Sequence, residues 1–182
     1  LNIFAPLVNI LLAQVSNRLL NSKFKENDVF KNKHRVLFIL DEFPVLGYVE
    51  EIKNGVSFVA GYGLKYMIIV QSMDQLNNIY GDKHPFMSNC QVKVFYTPNE
   101  TSTAKYISEI CGVGTIKVKS GKTTQAQARK LMTDDEVLRY DSKKGFIHAG
   151  NKPIIKSSNI RYFEDKLYKK RACHSKIRQD TL

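Results

Sequence analysis

The sequence predicts an α/β fold with a mainly parallel central sheet flanked by helices, and two observations support this class. The first is Val36–Leu40, an uninterrupted apolar run, which is typical of a parallel-sheet strand buried on both faces. The second is the alternation of strand-like and helix-like segments along the chain, which is the order found in parallel α/β sheets. The next strand-like segments are Tyr66–Val70 and Val92–Tyr96.

Two carboxylates, Asp41 and Glu42, follow directly after the first strand. This placement costs free energy unless the carboxylates bind something, and ligands of open α/β sheets bind at the carboxyl ends of the strands. There Asp41 can hold Mg²⁺ and Glu42 can polarise an attacking water, which is the Walker B arrangement of nucleotide hydrolases. The alternative interpretation is a buried strand followed by a solvated acidic turn.

Gln71 ends the next predicted strand, so we expect it at the same edge of the sheet as Asp41 and Glu42. A neutral amide at this place can hydrogen-bond a γ-phosphate or the attacking water. The alternative is a polar strand end that caps a neighbouring loop. Ser72, the next residue, is predicted to cap the helix that follows.

Local patterns predict the elements around this edge. The opening segment has apolar residues at helical spacing and predicts a helix packed on the core. The apolar positions are Leu7, Ile10 or Leu11, Val15 and Leu19. A polar, lysine-rich connection, Asn21–His34, follows. A further helix is expected from Val49 to Val59, and Gly61 and Gly63 end it.

Turn and cap signals organise the second half of the chain. Thr97–Glu100 and Thr133–Glu136 both have the capping-box pattern that begins a helix. Thr115–Lys119 alternates apolar residues with lysines and predicts a half-exposed strand, whereas Gly121–Ala128 is predicted to be a polar loop. Gly150–Asn151 lies between two short β-prone segments and predicts a hairpin.

The composition indicates one ordinary globular domain. With 182 residues, 43% of them hydrophobic and 25% charged, the chain can bury a core and is typical of a soluble protein. Asn2, Pro6 and Asn9 interrupt the apolar opening, so we expect no membrane span there. We also expect no signal peptide, because the opening lacks a basic n-region. The three cysteines form no CxxC pair and no histidine cluster has metal-ligand spacing, which fits a reducing compartment.

The net charge of +11 favours polyanionic partners, either nucleic acid or an anionic membrane surface. Lys117, Lys119 and Lys122 cluster around one loop, where they could line a pore that faces DNA. A solvated edge strand protected by lysines explains them equally well. Residues 164–182 form a second cationic segment.

Ser120–Thr123 contains the tripeptide GKT, but we do not interpret it as a phosphate-binding loop. That loop requires a glycine at position 116, where the chain has Ile116. The order is also wrong, because the phosphate loop precedes the Walker B strand. An exposed basic turn is predicted instead.

Between about residues 36 and 163 the chain resembles the TraG-like coupling proteins of conjugation and type IV secretion. Their ATPase domain carries an LDEFP.LG segment, an AGYGLK helix end, an IVQS..QL...YG strand and helix, and a late LLTPDEV segment. The matching residues are Leu40–Pro44 with Leu46–Gly47, Ala60–Lys65, Ile69–Ser72 with Gln75–Leu76 and Tyr80–Gly81, and Leu131–Val137. Several motifs in the same order are far more specific than one pair of carboxylates.

The resemblance implies part of a RecA-like P-loop NTPase nucleotide-binding domain that uses ATP and Mg²⁺. Residues 1–163 would be its C-terminal half, and residues 164–182 a basic tail. The phosphate loop would lie upstream, so the chain alone is predicted to be inactive. Asp41 would be the metal-side residue, Glu42 the catalytic base and Gln71 the residue that senses nucleotide state.

The resemblance also implies partners for the full-length protein. These are other copies in a homo-hexamer, single-stranded DNA, a relaxase or effector protein, and inner-membrane components of a type IV secretion system. Membrane helices before this segment would place the protein at the cytoplasmic face of the bacterial inner membrane. Two other functions stay open: a non-catalytic docking module for nucleic acid or relaxase, and another RecA-like DNA-pumping ATPase.

Ring ATPases complete their site with a cation from the neighbouring subunit, and the sequence leaves this cation open. No arginine occurs between Val36 and Ala128. The candidates are Lys53, Lys65, Arg129, Arg139 and an arginine outside these residues.

Overall fold

The computed structural model describes residues 4–21, 35–120 and 123–173. They form two compact units, within residues 1–91 and 92–182, and each unit is described by itself. The predicted connection from residue 22 onward, and the basic tail from residue 174 onward, lie outside the described residues.

The first unit is built on a pair of parallel strands with helices around it. Its elements are α1 (Ala5–Asn21), β1 (Val36–Leu40), α2 (Glu50–Gly55), β2 (Leu64–Ile68), α3 (Met73–Tyr80) and α4 (Phe86–Asn89). Two 3₁₀ helices complete the unit, Phe43–Leu46 and Val59–Tyr62. In β1 and β2, Val36 lies opposite Leu64 and Leu40 lies opposite Ile68.

The core of the first unit lies against one face of this strand pair. Phe43 and Ile52 are fully buried in it. The side chains that pack on the core from the strands are Phe38, Tyr66 and Ile68. The other face is exposed at Leu37, Ile39 and Met67. The expectation that the first strand is buried on both faces is therefore wrong for the described structure, since only one face meets this core.

The predicted first helix is present as α1, but its buried side differs from the expected one. Leu12 and Ser16 are buried, whereas Leu7, Ile10 and Val15 are exposed. The helical spacing identified the element but not its orientation, because apolar residues lie on more than one side of α1. The predicted face of α1 is thus wrong.

The single helix predicted from Val49 to Val59 is divided into α2 and the Val59–Tyr62 turn. Gly55 ends α2 at a crowded place, since a Cβ there would lie 3.1 Å from Val59 Cγ1 and 3.2 Å from the Tyr66 hydroxyl. Gly63 follows with a φ of 75°, a conformation that favours glycine. The next strand, β2, therefore begins at Leu64 and ends two residues earlier than predicted.

The second unit combines a three-stranded antiparallel sheet with a separate two-stranded ribbon. Its elements are β3 (Val92–Tyr96), α5 (Thr101–Cys111), β4 (Val113–Ser120), β5 (Thr123–Lys130), α6 (Asp134–Leu138), β6 (Lys144–Ala149), β7 (Ile155–Ser158) and α7 (Lys166–Cys173). The sheet has the order β3-β6-β7, and β4 pairs with β5. The parallel pairing expected of the sheet is thus present in β1–β2, while the pairs of this unit are antiparallel.

Three local predictions for this unit have clear outcomes. The loop predicted at Gly121–Ala128 is wrong from residue 123 onward, because β5 pairs with the whole of β4, with Ser120 opposite Thr123 and Val113 opposite Lys130. The hairpin at Gly150–Asn151 is confirmed by the antiparallel pair β6–β7. The first capping box is wrong, since α5 begins after Glu100 without a side-chain cap.

The second capping box is confirmed at the start of α6. The Thr133 hydroxyl accepts a hydrogen bond from the Glu136 N–H, and the Glu136 carboxylate accepts one from the Thr133 N–H at 2.8 Å. Val137 of this short helix is fully buried. It lies in the core of the second unit with Ala104, Ile107, Cys111, Met132 and Phe146.

Candidate active site

The carboxyl ends of β1 and β2 are joined by backbone hydrogen bonds that continue beyond the strands. The Ile69 N–H donates to the Leu40 carbonyl at 3.0 Å, and the Phe43 N–H donates to the Ile69 carbonyl at 3.1 Å. Asp41 and Glu42 follow the end of β1, and Gln71 follows the end of β2. Because the two strands are parallel, their carboxyl ends lie at the same edge of the sheet, as the sequence predicts.

Glu42 and Gln71 are in direct contact at this edge. The Gln71 amide Nε2 donates a hydrogen bond to Glu42 Oε1 at 2.8 Å. The side chains of Asp41, Glu42 and Gln71 are all exposed, so a ligand can reach them. The structure thus brings together the base and the sensor that the sequence suggests, while their chemical roles remain predictions.

Glu42 has an uncommon backbone conformation, with φ 47° and ψ 44°. Among the described residues it is the one non-glycine residue with a positive φ. For such a residue this left-handed conformation costs about 1–3 kcal/mol. It turns the chain from β1 into the Phe43–Leu46 helix, whose first hydrogen bond runs from the Val45 N–H to the Glu42 carbonyl at 2.9 Å.

Asp41 supports the same turn from the other side. Its Oδ1 accepts a hydrogen bond from the Glu42 N–H at 3.1 Å. Carboxylate oxygens are among the ligands that Mg²⁺ takes in proteins, and the exposed carboxylate of Asp41 fits a site for this ion. No group of three or more His, Cys, Asp or Glu side chains that could hold a metal occurs in the described part of the chain.

Ser72 begins α3 directly after Gln71. Its Oγ accepts a hydrogen bond from the Gln75 N–H at 3.2 Å, which confirms the predicted cap. The cap fixes the start of α3, and with it the position of the residue that contacts Glu42.

Tyr80, at the end of α3, is a residue for which the sequence alone predicts no role. Its hydroxyl contacts the backbone of the loop after Glu42, at Gly47 and Val49. In the sequence, the Tyr80–Gly81 pair contributes only to the family resemblance. The signal that could have identified the residue is a tyrosine at a buried helical position, since a buried hydroxyl requires a partner.

The predicted lysine cluster is described only in part. Lys117 lies on β4 and is exposed. Lys119 belongs to the same strand, but its side chain lies outside the described residues, as does the whole of Lys122. Of the three lysines, the structure therefore describes the side chain of Lys117 alone, on the two-stranded ribbon β4–β5.

Ion pairs connect the base of this ribbon to α6. Arg129 pairs with Glu136 and Lys130 pairs with Asp134, each at 2.9 Å. The hydrogen bond from Lys130 holds the pKa of Asp134 below its usual value, and the backbone N–H of Thr133 does the same for the pKa of Glu136. Two cations of the ribbon thus have intramolecular partners.

The candidates for a cation supplied to a neighbouring subunit have different surroundings. Lys53 donates to the Tyr48 hydroxyl at 3.2 Å and lies 5.2 Å from the centre of its ring. Lys65 is exposed on β2, and Arg139 lies at the end of α6. Arg129 is engaged with Glu136. Of these four candidate cations, Lys65 and Arg139 are therefore the more accessible to a neighbouring subunit.

Within the part of the chain that the structure covers, no helix combines the length and the apolar character that a bilayer crossing needs.

Solved structures define the class to which this fold belongs. The bacterial conjugative coupling protein TrwB, in an unbound form, superposes with a TM-score of 0.71 at 18% identity, over 87% of this chain and 38% of that one. TrwB with the ATP analogue ADPNP gives 0.67 at 17% identity, over 86% and 38%. This chain therefore shares the fold of TrwB, and the predicted α/β class is confirmed.

Sequence comparison identifies the family. The family model described as type IV secretory system conjugative DNA transfer matches residues 1–181. VirD4 of Agrobacterium fabrum strain C58 is 32% identical over 93% of this chain, and TraG of Escherichia coli is 32% identical over 92%. The chain belongs to this conjugative DNA transfer family, and it spans 27% and 31% of the length of these two relatives.

Proposed function

We propose that this chain supplies the Walker B half of the ATP-hydrolysis site of a type IV secretion coupling ATPase. The observation that carries the proposal is the hydrogen bond between Gln71 and Glu42 beside Asp41, at the carboxyl ends of two parallel strands. This is the sheet edge at which α/β proteins bind nucleotides. Family membership and the fold shared with TrwB support the same assignment.

Each of the three side chains has a separate task in the proposed reaction. Asp41 would hold Mg²⁺, and the ion would neutralise charge on the phosphates. One oxygen of Glu42 is oriented by Gln71, and the other takes a proton from the attacking water. Gln71 couples Glu42 to β2, so a change at the γ-phosphate can be transmitted along that strand.

The substrate is proposed to be ATP with Mg²⁺. Two TrwB structures contain the ATP analogue ADPNP and ADP with Mg²⁺. The phosphate loop is proposed to lie in another part of the full-length protein, because position 116 is isoleucine and the GKT tripeptide therefore lacks the required glycine. Residues 1–163 would then form the C-terminal half of the ATPase domain and residues 164–182 a basic tail.

In the full-length protein we assign this site to a motor that recruits and translocates DNA, protein or both. The proposed assembly is a homo-hexamer at the cytoplasmic face of the inner membrane, in contact with secretion-system components. A non-catalytic docking role is the second candidate, and the exposed Lys117 on the ribbon β4–β5 is the observation that favours it.

The test is the substitution Glu42→Gln in the full-length protein. The amide preserves shape but cannot accept a proton, so ATP binding should be retained while hydrolysis falls on the order of 10²–10⁴-fold. Asp41→Ala should in addition weaken Mg²⁺-dependent binding. Turnover would be followed by phosphate release and binding by calorimetry. Unchanged turnover in Glu42→Gln would exclude the Walker B assignment.

A further inference from the structure

The loop that follows Glu42 is packed on a buried tyrosine from α3. The Tyr80 ring stacks on Phe43, with ring centres 5.7 Å apart and planes at 11°. It also meets Phe86 edge to face at 4.9 Å. Phe43 is fully buried and Tyr80 nearly so. The residue next to Glu42 is therefore fixed in an aromatic cluster.

The Tyr80 hydroxyl binds the backbone of the same loop at two points. It donates a hydrogen bond to the Gly47 carbonyl at 3.1 Å and accepts one from the Val49 N–H at 3.0 Å. Burial raises the pKa of Tyr80 to about 12, so the hydroxyl keeps the proton that it donates. One side chain thus satisfies a carbonyl and an amide on either side of Tyr48.

A second side chain holds the loop from α1. Asn9 Nδ2 donates to the Leu46 carbonyl at 3.0 Å. The loop from Phe43 to Val49 is therefore bound by side chains from two helices, one before and one after it in sequence. The left-handed turn at Glu42 lies between this loop and β1, so a displacement of Phe43 changes the backbone angles that direct the Glu42 carboxylate.

We infer that Tyr80 is a positioning residue for Glu42 in ATP hydrolysis, acting through the loop from Phe43 to Val49. This inference rests on the proposed function. Tyr80 does not approach the reacting groups itself. It keeps the Glu42 carboxylate in the position where it accepts the hydrogen bond from Gln71. Reaction rates respond to displacements of about 1 Å at such a group by up to about 100-fold.

The experiment compares Tyr80→Phe with a matched control in the full-length protein. Tyr80→Phe retains the stacked ring and removes both loop contacts. Tyr66→Phe removes a hydroxyl from the same core without a hydrogen bond to the loop. We expect kcat for ATP hydrolysis to fall roughly tenfold to a hundredfold in Tyr80→Phe, with KM for ATP within about twofold of the parent. Tyr66→Phe should leave kcat unchanged.

Two further measurements separate positioning from a loss of folding. Hydrogen exchange of the Val49 amide should accelerate in Tyr80→Phe but not in Tyr66→Phe. Asn9→Leu removes the hydrogen bond from α1 to the loop, so it should also lower kcat. It serves as the second variant if Tyr80→Phe does not fold. Equal falls of kcat in Tyr80→Phe and Tyr66→Phe would indicate general destabilisation and overturn the inference.

The outcome for Glu42→Gln distinguishes this inference from the proposed function. If Glu42→Gln abolishes turnover while Tyr80→Phe and Asn9→Leu retain it, the positioning role is wrong and the Walker B assignment stands. If Glu42→Gln retains turnover, the proposed function is wrong and the role of Tyr80 is overturned with it.

Discussion

The two units use their carboxylates in different ways. In the first unit, Asp41 and Glu42 are exposed directly after β1. Asp41 accepts a hydrogen bond from the Glu42 N–H, and the Glu42 carboxylate accepts one from Gln71. In the second unit, Asp134 forms an ion pair with Lys130. Glu136 forms one with Arg129 and also belongs to the capping box of α6. Carboxylates of the first kind remain available to a ligand, whereas those of the second kind maintain the local structure. A change of polar residue should therefore affect chemistry in the first unit and stability in the second.

The two units also differ in what supports their polar groups. The site edge of the first unit rests on buried aromatic rings, of which Phe43 is fully buried. The ion pairs at the base of the ribbon are about half exposed, and such pairs contribute only about 0–1 kcal/mol. The largest effects on stability should therefore come from the cores and the smallest from the surface pairs.

The largest expected effect is that of removing a central ring from either core. Phe43→Ala and its counterpart Phe146→Ala each remove a fully buried side chain, so each should lower the free energy of unfolding by about 3–5 kcal/mol. Amide hydrogen exchange would show which amides lose protection. We expect the loss mainly within residues 1–91 for Phe43→Ala and within 92–182 for Phe146→Ala. Equal loss in both units for either variant would show that the two cores unfold as one.

The basic ribbon provides the second prediction, on binding of single-stranded DNA. Replacing Lys117, Lys119 and Lys122 by glutamine should lower the slope of log Kd against log salt by about 2, since each phosphate contact contributes about 0.7 on single strands. Fluorescence anisotropy with a labelled oligonucleotide across a salt series measures the slope. Lys53→Gln in the first unit is the matched control and should leave it unchanged.

Deletion of residues 164–182 tests the other location of positive charge on the same assay. If this deletion lowers the slope and the lysine substitutions do not, the tail is the DNA-binding element. If neither change alters the slope, the charge is solvating or meets anionic lipid, and a DNA-facing role of the ribbon is wrong.

Acid should destabilise the two units over different pH ranges. Burial lowers the pKa of His84 in the first unit below its usual 6.5. The unfolded chain therefore takes up this proton first, and the stabilising effect of neutral His84 is lost as the pH falls below about 6.5 towards the folded pKa. In the second unit the pKa of Glu136 lies below its usual 4.5, so its contribution to stability is present above that pH and is lost at lower pH.

Hydrogen exchange between pH 7 and 4 should therefore show earlier loss of protection in residues 1–91 than in residues 92–182. His84→Leu should remove this difference, and an unchanged difference would contradict the assignment to His84.

The smallest effects are expected from two matched helix caps. Ser72→Ala and Thr133→Ala each remove an N-cap hydroxyl and should cost about 1 kcal/mol in urea unfolding. Only Ser72→Ala should also lower ATP turnover of the full-length protein, because Ser72 adjoins Gln71. Equal effects on turnover would remove the functional difference between the two units.

Much of this arrangement could be predicted from the sequence because it depends on local patterns. The apolar run of β1, the cap at Ser72 and the capping box at Thr133 each require only neighbouring residues. The meeting of Glu42 and Gln71 required one further step, the parallel pairing of successive strands. That pairing was expected from the α/β pattern and is present in the structure.

The errors concern features that neighbouring residues do not determine. β5 was predicted as a loop because its polar and alanine residues lack a strand's usual apolar face, and only its pairing with β4 makes it a strand. The exposed side of α1 depends on which surface the rest of the fold presents. Tyr80 was missed because its partners, Gly47 and Val49, lie more than 30 residues earlier in the chain.

The left-handed backbone at Glu42 also has a consequence for selection and engineering. A sequence chosen for thermal stability alone would have glycine or asparagine at this position, since both adopt the conformation at lower cost. Keeping glutamate there gives up stability that a single substitution could recover, and natural sequences accept such losses mainly where activity requires them. Variants designed by computed folding energy alone would therefore tend to replace this residue, and position 42 should be held fixed in any such design.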